Sequence, residues 1–86
     1  PNPFTREQAI LMMADSVEAA SRSLKDYSEA SIRDMVNALI DGMVADGFFR
    51  ECPITFRDIT YSKTVLIEKL KTIYHTRISY PTLDKN

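Results

Sequence analysis

The sequence predicts an all-α protein of three helices. Two observations carry this prediction. Apolar residues recur at three- and four-residue intervals in three separate segments. The breakers are few, two glycines and four prolines in 86 residues, and they fall mostly between those segments.

The first helix is expected over residues 6–24. Thr5 is placed to cap it, with Gln8 three residues later completing a capping box. Ile10, Met13, Val17, Ala20 and Leu24 then repeat at 3,4,3,4 spacing. Residues 25–28 break the pattern, and Ser28 can cap a second helix. Its stripe of Ile32, Met35, Val36, Leu39, Ile40, Met43 and Val44 is the cleanest amphipathic pattern in the chain. Gly47 stands where a left-handed C-terminal cap belongs, with Phe48 able to pack back on the last turn. Gly42, inside the same helix, costs about 1 kcal/mol relative to alanine. Thr55 is the expected cap of a third helix, with Asp58 in its first turn and Ile54 and Ile59 at hydrophobic-staple positions. Phe56, Ile59, Leu66, Leu70 and Ile73 supply its core face. It is expected to end near His75, leaving residues 76–86 as a tail extended around Tyr80-Pro81. Short connections make successive helices antiparallel.

The mass, 9.8 kDa, fits one small domain. Eleven Lys+Arg against twelve Asp+Glu leave a formal charge of −1, which argues against a nucleic-acid polymer as partner. One cysteine excludes an intramolecular disulfide framework. The longest mostly apolar stretch, residues 9–20, is interrupted by Asp15, Ser16 and Glu18 and is no membrane span. The opening Pro1-Asn2-Pro3-Phe4 lacks an initiator Met and a signal-peptide pattern, which sets the expectation of a boundary inside a longer protein.

The first helix is more apolar than a three-helix protein requires. Nine of the twelve residues from 9 to 20 are apolar, spread over most of its circumference. A helix of that kind normally lies among several neighbours. Its narrow polar strip carries Asp15, Glu18 and Arg22 within roughly 60° of arc. Such a strip is either a solvated face with an intrahelical ion pair or a polar row aimed into a site.

No catalytic set is complete in these residues. There is one His and one Cys, and no metal-binding or phosphate-cradling motif. His75, near a helix C-terminus, and Cys52, beside Pro53, have ordinary structural explanations.

The run from Ile10 to Ala20, Ile-Leu-Met-Met-Ala-Asp-Ser-Val-Glu-Ala-Ala, followed by Arg22 and Leu24, resembles the last conserved segment of the HD-type phosphohydrolase domain of seven-transmembrane bacterial proteins, the family that includes cyclic di-AMP phosphodiesterases. Thr5-Arg6-Glu7-Gln8-Ala9 is similar to that family's lead-in. Cys52, Thr55, Arg57, Asp58 and Ile59 are similar to the start of its next long helix. Ile73-Tyr74-His75, Arg77-Ile78 and Tyr80-Pro81 resemble its closing pattern. The chain departs from the family at Thr76, where proline is usual, and at Phe48-Phe49, which replaces a polar pair.

The resemblance implies that residues 1–86 are the C-terminal helical portion of an HD domain. It further implies a divalent metal, Mn or Fe, in the intact domain, held by histidines, a His-Asp pair and a final Asp, with none expected in this portion alone. Asp15 matches the final Asp and is the expected metal ligand. Glu18 and Arg22 become candidates for second-layer or substrate-facing roles. No residue is expected to be catalytic in isolation. The expected partners are the rest of the HD domain, a cyclic dinucleotide substrate and, for the isolated portion, a second copy of itself. The expected place is the cytoplasmic side of the bacterial inner membrane. Two alternatives remain open: a free-standing three-helix interaction module, and a catalytically inactive regulatory HD-like domain.

Overall fold

In the computed structural model, residues 2–84 are described, with side-chain surroundings through residue 75. Three helices follow one another: α1 (Arg6–Ser21), α2 (Glu29–Ala45) and α3 (Phe56–Asp84).

Each helix begins at its expected cap. The Gln8 amide donates to Thr5 Oγ1 at 3.1 Å, and the Thr5 amide returns a bond to Gln8 Oε1 at 3.2 Å. Ser28 Oγ accepts from the Ser31 amide at 3.2 Å. Thr55 and Asp58 form the same reciprocal box, both bonds 3.0 Å. These bonds satisfy amide donors that the first turn leaves open.

α2 ends in a Schellman motif. Gly47 has φ +81°, its amide donates to the Val44 carbonyl at 3.0 Å, and the Phe48 amide reaches the Met43 carbonyl at 3.1 Å. A left-handed residue is required here, and glycine supplies it without a Cβ penalty.

Four expectations need correction. α1 stops at Ser21 rather than residue 24, with Arg22 as its C-cap. The Ser21 carbonyl is taken by the Tyr27 hydroxyl at 2.7 Å and by the Leu24 amide at 3.3 Å, so the chain tightens and leaves the helix. The buried face of α1 is Ala9, Met13, Val17 and Ser21, at uniform four-residue spacing, while Ile10 is 43% exposed. Small Ala9 and Ser21 let the neighbouring helices approach closely, which a hydrophobicity reading does not register. α3 continues to Asp84 and includes Pro81, whose fixed φ is helical and forfeits one backbone bond. On α3, Phe56 is 82% exposed and Ile73 is exposed, whereas Ser62 is buried and Ile67 and Tyr74 pack against the core.

The core is formed by Ala9, Met13 and Val17 of α1, Ile32, Val36, Ile40 and Met43 of α2, Phe49, and Ile59 and Leu70 of α3. Fully burying one of these side chains larger than alanine stabilises by about 1.5–3 kcal/mol. Ion pairs set the register at the rim. Lys63 meets Asp41 at 2.6 Å, and Lys71 meets Glu29 at 3.3 Å, so α2 and α3 are antiparallel. Arg6 meets Asp58 at 3.0 Å, while Ser21 lies 3.1 Å from Tyr74, so α1 and α3 run parallel.

Candidate metal-ligand groove

Parallel α1 and α3 leave an open groove along their shared face. Ala14, Asp15, Val17 and Glu18 form one wall of a cavity of about 240 Å³, and Leu66, Lys69, Leu70 and Ile73 form the other. Met13 and Val17 are buried on either side of Asp15, so the backbone that carries this carboxylate is held by the core. The carboxylate itself is exposed and makes no hydrogen bond or ion pair among the described residues.

Glu18 shares the groove with Asp15. Arg22 does not line it; it pairs with Glu18 at 3.7 Å, both side chains 69% exposed. A pair that open to solvent contributes well under 1 kcal/mol. Lys69 was not singled out by the sequence reading. The signal for it lies in the α3 period, because it directly precedes buried Leu70 and stands one turn before Ile73.

Toward the helix N-termini the same face turns apolar. Ile10, Tyr61 and Val65 are exposed and line a second cavity with Ser62 and Leu66. Leu11, 61% exposed, extends the apolar surface on α1. One face of the molecule is thus hydrophobic at one end and charged at the other.

A divalent metal needs several convergent donors. Asp15, a free anionic oxygen donor, fits one position of such a set. Among the described residues, no three His, Cys, Asp or Glu side chains converge to complete it. His75 opens onto a separate cavity with Tyr27, Ser28, Glu29 and Lys71. Cys52 is a half-buried free thiol packed against the core. Among the described residues no helix is long and apolar enough to cross a membrane.

The three-helix fold matches part of the helical fold of an HD-type phosphodiesterase domain. In sequence and in structure the chain is similar to part of such a domain. Crystal structures of the HD domain of the *Listeria monocytogenes* phosphodiesterase PgpH superpose with TM-scores of 0.83 and, in complex with cyclic-di-AMP, 0.84. Both share 41% identity and cover 87% of this chain, but only 36% and 35% of the HD-domain chains. In sequence, the chain is 40% identical over 85 residues to the cyclic-di-AMP phosphodiesterase PgpH of *Bacillus subtilis*, and 43% identical over 81 residues to that of *Listeria monocytogenes*. An uncharacterized *Synechocystis* protein is 31% identical over 81 residues. The chain spans 12%, 11% and 10% of the lengths of these three relatives. No protein-family model matches it.

Proposed function

We propose that this chain is the C-terminal helical part of a membrane-anchored, divalent-metal-dependent phosphodiesterase that cleaves a cyclic dinucleotide on the cytoplasmic side of the membrane. Asp15 contributes one carboxylate ligand. The observation that carries the reading is the Asp15 carboxylate, held on a core-anchored stretch of α1 and without a partner among the described residues, in a chain 40% identical over 85 residues to a cyclic-di-AMP phosphodiesterase.

An anionic oxygen set among imidazoles suits Mn or Fe. When bound, the metal supplies Lewis-acid activation of water. This chain's part is to fix Asp15 through the buried Met13 and Val17, and to keep Glu18 beside it as a second carboxylate on the same wall. Arg22 pairs loosely with Glu18 at the solvent edge and lies outside the groove lining. The other ligands come from the rest of the HD domain, which covers the apolar end of the α1/α3 face. By itself the chain is inactive, because one carboxylate cannot hold a metal and its water, and it self-associates through that uncovered face.

The test is hydrolysis of cyclic di-AMP with Mn²⁺ or Fe²⁺, by the intact protein and by the 86-residue chain. The intact protein is expected to turn over and the chain to show none. Metal-dependent turnover by the chain, or none by the folded intact protein, would overturn the reading.

A further inference from the structure

The described part of α3 presents three lysines, and two are already engaged by carboxylates. Lys63 is held by Asp41 of α2 at 2.6 Å. Lys71 is held by Glu29 of α2 at 3.3 Å and by Glu68 at 3.1 Å. Lys69 points the other way, into the α1/α3 groove, and makes no ion pair or hydrogen bond among the described residues. It stands across that groove from the wall carrying Asp15 and Glu18.

Two carboxylates on one wall oppose the approach of an anionic phosphodiester. A lysine is a compact, strongly hydrated point charge on a flexible stem, suited to a phosphate oxygen whose exact position varies. Arg22, the cation the sequence suggested for this task, is turned to Glu18 and lies outside the groove lining. Lys69 lines the groove and has no partner among the described residues.

We infer that Lys69 binds a phosphate oxygen of the dinucleotide substrate, across the groove from the Asp15 ligand. This rests on the phosphodiesterase reading above and adds a substrate-binding residue to it. The ammonium contributes affinity and holds the phosphodiester at the mouth of the groove. It carries no proton-transfer role.

The experiment uses the intact protein and its Lys69→Ala, Lys69→Arg and Asp15→Ala variants. It reads cyclic di-AMP binding to the metal-free protein by calorimetric titration, KM and kcat of the metal-loaded protein, and metal content. Loss of a charge-assisted hydrogen bond is expected to weaken binding and raise KM about tenfold in Lys69→Ala. Lys69→Arg should recover most of that loss, with kcat changed far less and metal content at the wild-type level. Lys69 is exposed and unpaired among the described residues, so thermal melting of both variants should match wild type. Unchanged binding and KM in Lys69→Ala would overturn the inference. So would unchanged substrate binding with tighter metal binding, since Lys69 would then only neutralise the two carboxylates. If Lys69→Ala is silent while Asp15→Ala loses metal, the lysine assignment alone fails. If the folded, metal-loaded wild type does not hydrolyse cyclic di-AMP, the phosphodiesterase reading fails and takes the lysine assignment with it.

Discussion

Ser21 Oγ and the Tyr74 hydroxyl lie 3.1 Å apart, joining the last residue of α1 to α3 across 53 positions of sequence. Ser21 Oγ already donates to the Glu18 carbonyl at 2.7 Å, so the tyrosine is the donor of this pair. Tyr27 closes the knot. Its hydroxyl donates to the Ser21 carbonyl at 2.7 Å, and its ring stacks on Tyr74 with centroids 4.1 Å apart and planes 20° apart. The knot fixes the register of α1 against α3, and that register decides which α3 residues face Asp15.

Tyr74→Phe keeps the stacked ring and removes the hydroxyl. It should cost about 1 kcal/mol, the usual net worth of such a hydrogen bond. Tyr74→Ala should cost more, about 2–3 kcal/mol, because the stacking and the packing area go too. Urea unfolding midpoints check both. Equal stability of Tyr74→Phe and wild type would show that the hydrogen bond contributes nothing.

Gly47→Ala should destabilise by about 1–2 kcal/mol, since the position needs a left-handed backbone. An added Cβ would also stand 2.8 Å from Arg50 Nη1, a contact the flexible arginine can relieve by moving. The urea midpoint should fall with the slope unchanged.

The Asp58 carboxyl is held below its ordinary value of 3.8, chiefly by the Thr55 amide and also by Arg6. A depressed carboxylate contributes stability that is fully present above the unfolded value and lost as pH falls through the folded one. Part of the acid destabilisation between about pH 4 and lower values should therefore disappear in Asp58→Asn. At the alkaline end the Lys71 ammonium is raised above 10.5 by Glu68 and Glu29. Its contribution is present below that value and fades as pH rises past it. Thermal melts across pH for wild type, Asp58→Asn and Lys71→Met separate the two windows.

The isolated chain should self-associate through the apolar end of the α1/α3 face. Val65→Lys or Leu11→Glu should shift it toward monomer while leaving the helical signal intact, as both side chains are exposed. Sedimentation equilibrium decides. A wild-type chain that stays monomeric at high concentration would contradict this expectation.

Much of the fold was legible in local chemistry. The Thr5, Ser28 and Thr55 caps, the Gly47 stop and the α2 stripe all depend on residues within one or two turns of each other. What was not legible depends on distant partners. The end of α1 is decided by Tyr27 capturing the Ser21 carbonyl, and its buried face by the close approach that Ala9 and Ser21 permit. Phe56 was expected in the core because apolar spacing does not reveal that, in the first turn of α3, Ile59 faces the core while Phe56 is 82% exposed. At the groove, helical spacing placed Asp15 and Glu18 on one face of α1, while the ligand role proposed for Asp15 comes from the family resemblance. Lys69 required knowing that α3 lies parallel to α1, and the Glu18 pairing of Arg22 required side-chain positions.

Metal content of the intact protein with Asp15→Ala is the most direct measurement. Asp15 is exposed and unpartnered among the described residues, so the variant should fold as wild type does. Loss of a ligand should lower metal affinity by at least about tenfold to a hundredfold, the range seen even for groups that only support a ligand. Cyclic di-AMP hydrolysis should fall in parallel. Wild-type metal loading and rate in Asp15→Ala would contradict the account and return Asp15 to a solvated helix face.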